Sequence, residues 1–161
     1  MGLITPPNPE TMPELNVIDA IRERAKETPE KEAIVCGDIR QSWADFDQRS
    51  NRCANALIEL GIQKGDRVAI LSPNSAPYAE IFIGTLKAGA CIGPLSTMAS
   101  SEALEKMVKD SGSKVFFLAD HYRDLAAPFL GGIAAHCVAL DFDAPGFDNY
   151  ETLLADQTET D

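Results

Sequence analysis

Two patterns of apolar residues alternate along most of the chain. Short continuous runs occur at residues 67–71, 90–95, 114–119 and 136–140, where the sequence reads "RVAIL", "ACIGPL", "KVFFLA" and "HCVAL". Between them, apolar residues recur every three or four positions. Continuous runs are typical of strands covered on both faces, and the wider spacing is typical of amphipathic helices. The alternation predicts an α/β domain with a mainly parallel sheet, flanked by helices in right-handed crossovers.

Three of the runs are expected to be neighbours in that sheet. The pattern predicts adjacent strands at Arg67 to Leu71, Cys91 to Leu95 and Val115 to Leu118. Because the runs are so apolar, we expect none of them at an edge. The flanking helices are expected to begin after Ser42, Ser75 and Ser100, since serine is a frequent helix N-cap.

The N-terminal third of the sequence predicts an extended arm and a short hairpin. Four prolines among the first fourteen residues indicate an extended arm over residues 1–14, followed by a single α/β domain over 15–156 and an acidic end over 157–161. Gly37-Asp38 lies between two short strand-like runs, which predicts a two-residue hairpin.

Polar residues follow the run 67–71, in the sequence "SPNS". In open parallel sheets the carboxyl ends of the strands form the edge at which ligands bind. This stretch is therefore a candidate ligand edge. The alternative is a plain strand-to-helix turn in which Ser72 or Asn74 caps the next helix.

Charge excludes some classes of partner. The net charge is −11, and the seven acids after residue 140 are accompanied by no Lys or Arg. Such a balance disfavours nucleic acid and anionic membranes, and the acidic C-terminal stretch is expected to be solvated. Since no run approaches the ~18 apolar residues of a membrane span, we expect no membrane span and a cytoplasmic protein.

Motifs for metal binding and catalysis are missing. The four cysteines are widely spaced and only His121 and His136 accompany them, which predicts reduced, buried thiols and no metal site. The two histidines are expected at a loop and at a strand start. Neither G-x-G-x-x-G, nor G-x-x-x-x-G-K-[ST], nor G-x-S-x-G occurs, so no catalytic residue is predicted.

Three blocks in order resemble the N-terminal subdomain of adenylate-forming enzymes, the acyl- and aryl-CoA synthetases. They are "SWADFDQRSNRCANALIELGIQKGDRVAILSPNS", "LKAGACIGPL" and "SSEALEKMVKDSGSKVFF". The resemblance covers residues 14 to 156, and "GIQKGDRVAIL..N" and "KAGA...PL" are its most specific parts. It implies a flavodoxin-like subdomain that packs against a second, similar one.

The resemblance also implies chemistry for a longer parent protein. In this family a carboxylate and ATP give an acyl-adenylate and pyrophosphate, and coenzyme A then captures the acyl group. ATP, magnesium and CoA are thus implied for the parent. The phosphate loop with its lysine, and the family's other signatures, would all lie beyond Asp161. The 161-residue chain alone is therefore expected to bind none of these cofactors and to be inactive.

Relatives that use small acids place the nucleotide end of CoA near the loop after the "PL" strand and near a basic side chain after the next strand. Here the resemblance implies Ser96, Thr97, Met98 and Arg123 as CoA contacts. Many relatives have Asn-Pro-Arg in that loop, so a guanidinium contact is lost or shifted here, and Arg123 is a candidate to replace it. The alternative is a solvated arginine at a helix start.

Two other functions stay open at this stage. A stand-alone protein-interaction module on the same scaffold would explain the acidic end. A flavodoxin-type cofactor binder fits the alternation, but "SPNSAP" is a poor phosphate loop. If a second subdomain is missing, the apolar surface it would cover predicts a weak homodimer, with the remainder of the parent enzyme as the natural partner.

Overall fold

The computed structural model describes residues 16–160. The helices are α1 Val17–Glu27, α2 Trp43–Glu59, α3 Ala76–Lys87, α4 Ser101–Ser111, α5 Arg123–Leu130 and α6 Tyr150–Ala155, with a 3₁₀ turn at Asp120–Tyr122. The strands are β1 Glu32–Cys36, β2 Ile39–Ser42, β3 Arg67–Leu71, β4 Cys91–Pro94, β5 Val115–Leu118, β6 His136–Ala139 and β7 Asp148–Asn149. The predicted arm over 1–14 lies outside the described residues, and the boundary at residue 156 stays a prediction.

The main sheet confirms the predicted α/β fold. Its five strands run in the order β4-β3-β5-β6-β7, and every neighbouring pair is parallel. The chain moves outward from β3 to β4 and then returns to add β5 on the other side of β3. This reversal makes the β3/β5 junction the topological switch point of the sheet, where open α/β folds bind ligands. Strands β1 and β2 form the predicted hairpin, and Gly37 in its two-residue turn has φ 57°.

The prediction that no apolar run would lie at an edge is wrong for β4. The amides of Cys91 and Leu95 donate to Asp66 and Ile70 at 2.7 and 2.9 Å. Because alternate residues of a strand direct their backbone groups to opposite sides, Pro94 faces away from β3. A proline there costs no hydrogen bond within the sheet, and proline inside a strand is confined to such edges.

Two apolar clusters cover the two faces of the sheet. Helices α2, α3 and α6 pack on one face, where Leu57, Ile81 and Tyr150 are buried. Helices α4 and α5 pack on the other through Leu104 and Phe129. A third cluster joins α1 and the hairpin to the outside of α2 and α3. The hairpin and α1 therefore form an additional layer on one side only.

Serine caps set the starts of three helices, as predicted. Ser42, Ser75 and Ser100 each accept a backbone N–H from the first turn of α2, α3 and α4. Ser42 and Asp45 form a full capping box, and the side-chain hydrogen bond from Ser42 lowers the pKa of Asp45. The alternative that Ser72 or Asn74 caps α3 is wrong, because Ser75 is the N-cap and the Ser72 hydroxyl donates to the carbonyl of Pro73 at 2.8 Å.

The conformation of the segment "GIQKGDRV" is stabilised by hydrogen bonds at the amino edge of the sheet. The carboxylate of Asp66 accepts the amide of Gln63 at 2.8 Å and Nζ of Lys114 at 2.7 Å, and these bonds lower the pKa of Asp66. The Arg67 guanidinium donates to the carbonyls of Ser111 and Gly112. These carbonyls close α4, where a cation also complements the helix dipole.

A buried carboxylate connects three parts of the fold. Glu80 on α3 is fully buried and accepts hydrogen bonds from Gln41 on β2, Arg49 on α2 and Tyr150 on α6, at 2.5, 2.8 and 2.9 Å. Burial raises the pKa of the Tyr150 phenol well above its ordinary value. Burial alone would lower the pKa of Arg49, but hydrogen bonds to Glu80 and Glu151 outweigh it and raise that pKa.

The described acids of the C-terminal stretch are all exposed, as predicted, and several of them also make specific contacts. Asp141 accepts the amide of Asp120 at 2.7 Å, and Asp148 lies 2.7 Å from Nε2 of His136. Glu151 accepts two hydrogen bonds from Arg49, at 3.1 and 2.6 Å. Because Arg49 lies 102 residues before Glu151, no local charge pattern indicated this pairing.

Helices α2 and α3 approach closely at Gly84. A Cβ at this position would lie 2.7 Å from Cβ of Cys53 and 2.9 Å from the carbonyl oxygen of Ser50. We expect Gly84→Ala to lower the free energy of unfolding by about 1–3 kcal/mol, as is typical of overpacked cores. Urea unfolding followed by circular dichroism measures the change. Gly131→Ala is the matched control, since a Cβ there meets no atom within 4 Å; an equal loss in both variants would contradict the steric explanation.

Candidate functional site

Four loops open at the carboxyl edge of the sheet. They follow β3, β4, β5 and β6, and cover residues 72–75, 95–100, 119–122 and 140–147. The connections after β4 and β5 lead to α4 and α5, which lie on the same face of the sheet. The sequence-predicted CoA contacts all lie at this edge, on the loop after β4 and at the start of α5.

The predicted contacts Ser96, Thr97 and Met98 form an exposed turn after β4. The Ser96 hydroxyl accepts the amide of Met98 at 3.4 Å, and the amide of Ala99 donates to the Ser96 carbonyl at 3.2 Å. The Met98 side chain is 94% exposed. These bonds shape the turn locally and leave its outer surface open to a ligand.

Arg123 begins α5 and is the basic residue at this edge. Its guanidinium lies 5.4 Å above the ring of Phe142 and 3.6 Å from the Asp120 carboxylate. Half of its side chain is exposed, so the ion pair is screened by water and the cation stays accessible. A cation over an aromatic face is attracted by the ring quadrupole.

The loops after β5 and β6 are tied together, which the sequence did not predict. The Asp141 carboxylate accepts the backbone N–H of Asp120, and the Phe142 ring packs against Phe147 at 5.1 Å between centroids. Asp141 and Phe142 directly follow the run "HCVAL", so their place after a strand was the available signal. Through these bonds and the Arg123 contact, the start of α5 lies beside the loop after β6.

The turn at 96–98 and Arg123 share the edge but follow strands that are not neighbours. Strand β3 lies between β4 and β5, and two strand spacings amount to about 9–10 Å. A single ligand that contacts both must therefore span the end of β3, where Ser72 and Asn74 lie. An extended molecule with separated polar groups satisfies this condition.

The edge does not fit ATP and magnesium. The loops at 72–75, 95–100 and 140–147 contain no Lys or Arg. Within residues 16–160, no group of three or more His, Cys, Asp or Glu side chains could hold a metal ion. Triphosphate chemistry requires several positive charges around the transferred group, and Arg123 supplies one.

One cysteine reaches this edge: the Cys36 thiol donates to the carbonyl of Asn74 at 4.0 Å. Burial raises the pKa of the Cys53 thiol to about 12. All four cysteines are free, but the prediction that they are buried holds only for Cys53: Cys36 and Cys137 are half-buried, and Cys91 is exposed on the edge strand β4. His136 starts β6 and His121 lies in the 3₁₀ turn after β5, as expected for strand-start and loop residues.

The chain belongs to the AMP-binding enzyme family, whose model matches residues 21–161. The fold and the order of the sequence blocks agree with this membership, and so does the likeness to adenylate-forming CoA ligases of known structure. Within the described residues, no helix is long and apolar enough to cross a membrane.

Similar proteins carry the names of acid–CoA ligases. The long-chain-fatty-acid–CoA ligase FadD13 of Mycobacterium tuberculosis is 38% identical over 128 residues, which are 78% of this chain and 24% of that protein. The N-terminal domain of FACL13 from the same organism has a TM-score of 0.79 at 29% identity, and the match covers 90% of this chain and 36% of that one. The anthranilate CoA ligase AuaEII, with anthranoyl-AMP bound, has a TM-score of 0.86 at 21% identity. The match covers 91% of this chain and 29% of that one. The chain thus spans about a quarter of the length of FadD13 and of the putative acyl–CoA ligase YdaB of Bacillus subtilis.

Proposed function

We propose that the chain is the N-terminal part of an ATP-dependent acid–CoA ligase. In the parent, the acid's carboxylate oxygen attacks the α-phosphorus of ATP, which yields an acyl-adenylate and releases pyrophosphate. The CoA thiolate then attacks the acyl carbonyl and expels AMP. The observation that carries the proposal is the family match over residues 21–161. The carboxylic acid is proposed only as a class, because the relatives are named for acids as different as long-chain fatty acids and anthranilate.

The proposed share of this chain in the reaction is to hold CoA. Arg123 offers an accessible cation for a phosphate of the nucleotide end, and Phe142 holds its guanidinium in place. The end of β3 separates Arg123 from the exposed turn of Ser96, Thr97 and Met98. This turn offers hydroxyl groups and an apolar side chain. CoA is long enough to contact both.

Adenylation is assigned to the rest of the parent. The carboxyl-edge loops lack the cations for a triphosphate, and the described residues lack a metal site. The alternative function is a stand-alone interaction module on the same scaffold. Reading the gene beyond Asp161 separates the two, since a Ser/Thr/Gly-rich loop with a lysine supports the ligase and a stop codon supports the module.

Pyrophosphate release is the first test. The purified chain, mixed with ATP, magnesium, CoA and a panel of fatty and aromatic acids, is expected to release none, because the phosphate loop is missing. A coupled phosphate assay measures the release, and a complete homologous ligase in the same mixtures is the positive control. Turnover by the 161-residue chain would contradict the assignment of adenylation to the remainder.

The nucleotide end of CoA provides the second test. Because the Arg123 cation is accessible, we propose, in place of the earlier expectation that the chain alone binds no CoA, that it holds the nucleotide end of CoA. In an NMR titration of the chain, adenosine 3′,5′-bisphosphate is then expected to shift the amide signals of residues 96–98 and 120–123. Arg123→Gln should weaken binding about tenfold, which corresponds to roughly 1.4 kcal/mol for one lost charge-assisted contact. Arg24→Gln removes an equally exposed guanidinium from α1 and serves as the control. Equal effects of the two variants would mean that only the overall charge matters.

Self-association is the third expectation. Val17, Val35 and Ile39 are about half exposed, and all lie in the layer formed by α1 and the hairpin. We propose that this layer mediates a weak homodimer. The net charge of −11 opposes it, so added salt should strengthen it by screening the repulsion.

Sedimentation velocity at several protein and salt concentrations measures this dimer. Ile39→Ser should shift the equilibrium toward monomer. Met107→Ser, which removes a similarly exposed side chain from α4 on the opposite face of the sheet, should not. A monomer under all conditions would refute the dimer, and equal effects of the two variants would refute its assignment to the hairpin layer.

A further inference from the structure

Residues 157–160 lie along one side of α2 and are called here the strap. Asn51 donates through Nδ2 to the carbonyl of Glu159 at 2.9 Å. Asn55, one turn later, donates to the carbonyls of Thr158 and Thr160 at 3.0 and 2.9 Å. Arg52 pairs with the Glu159 carboxylate. Three neighbouring side chains of one helix therefore hold three successive residues of the strap.

The orientation of the Asn51 amide is set from inside the protein. Its Oδ1 lies 2.6 Å from Nζ of Lys87, whose side chain is 1% exposed and also contacts the Asp47 carboxylate at 2.6 Å. An ammonium group can only donate hydrogen bonds, so the oxygen of the amide must face Lys87. The NH₂ group then points toward the strap. Because Lys87 belongs to α3 and not to the strap, this orientation of the amide does not depend on the strap contacts.

The contacts of the strap are mainly with its backbone. Asn51 and Asn55 bind carbonyl oxygens, while the side chains of Thr158, Glu159 and Thr160 are exposed. Two side-chain contacts add to these: the Glu159 ion pair with Arg52, and the Thr158 hydroxyl at 3.2 Å from Nδ2 of Asn55. Recognition of carbonyls places little restriction on side chains, and the guanidinium adds a preference for an acid.

We propose that Asn51, Arg52 and Asn55 form a binding site for an extended peptide segment with an acidic side chain. Its occupant is the chain's own segment 158–160, and the site fixes the course of the polypeptide after α6. The site lies on α2, on the face of the sheet that also carries α1 and the hairpin. It is independent of the CoA contacts at the carboxyl edge and of the proposed ligase activity.

The test compares donor and acceptor variants by ¹⁵N NMR relaxation of the whole chain. In the native protein, the amides of residues 158–160 should have order parameters near those of rigid backbone, roughly 0.85. Asn55→Ala removes the donor, and Asn55→Asp removes it with almost no change of shape. Both should lower the order parameters of 158–160 below about 0.6, while α6 keeps its native values.

Two further variants decide what is recognised. Thr158→Val removes the side-chain acceptor but keeps the carbonyl, so the strap should stay ordered. Gln48→Ala removes an exposed amide from the same helix and should have no effect. A strap that stays ordered in both Asn55 variants would overturn the proposal. If Thr158→Val lowers the order parameters of 158–160 as much as Asn55→Ala does, recognition of the backbone is overturned. If Gln48→Ala lowers them as well, the effect of the Asn55 variants reflects a general weakening of α2.

Discussion

The buried carboxylate of Glu80 is the interaction on which the arrangement of layers depends. A carboxylate removed from water is costly unless its oxygens are fully hydrogen-bonded and its charge is balanced. Here the donors come from the hairpin, from α2 and from α6, so the carboxylate is satisfied only when all three have reached their places on α3. Arg49 extends the connection to Glu151. The Glu80 side chain thus couples the position of the hairpin to the position of α6, because both must be in place before the carboxylate is fully hydrogen-bonded.

Much of the fold could be predicted because it depends on local chemistry. The spacing of apolar residues indicated the strands, and Ser42, Ser75 and Ser100 indicated the helix starts, since a cap is formed within three residues. Strand β4 was predicted correctly as a neighbour of β3 but wrongly as an interior strand, although Pro94 was a signal for an edge. The partners of Glu80 could not be predicted, because Gln41 and Tyr150 are 39 and 70 residues away in sequence. Such pairings are decided by packing after the elements have formed.

The residues that identify the family and the residues proposed to bind its substrate are different. Asp66 and Arg67 stabilise the amino edge of the sheet, and the amide of Gly65 donates to the carbonyl of Gly89 between the two most specific sequence blocks. These contacts stabilise the sheet and its connecting turns and have no part in the proposed CoA contacts. The turn at Ser96–Met98 and Arg123 lie at the opposite edge, on loops that can vary while the scaffold is kept. A sequence can therefore be assigned to the family with good specificity while its substrate stays open.

The position of Pro94 has a consequence for behaviour at high concentration. Unpaired strand edges are templates on which further chains can add, and this is a common route to aggregation. On β4 the outward-facing proline offers no N–H to an incoming strand, and at the other end of the sheet β7 is only two residues long and begins with Asp148. Both ends of the sheet are thereby poor sites for the growth of intermolecular β-structure. An intermolecular strand therefore finds little backbone to pair with at either end of the five-stranded sheet.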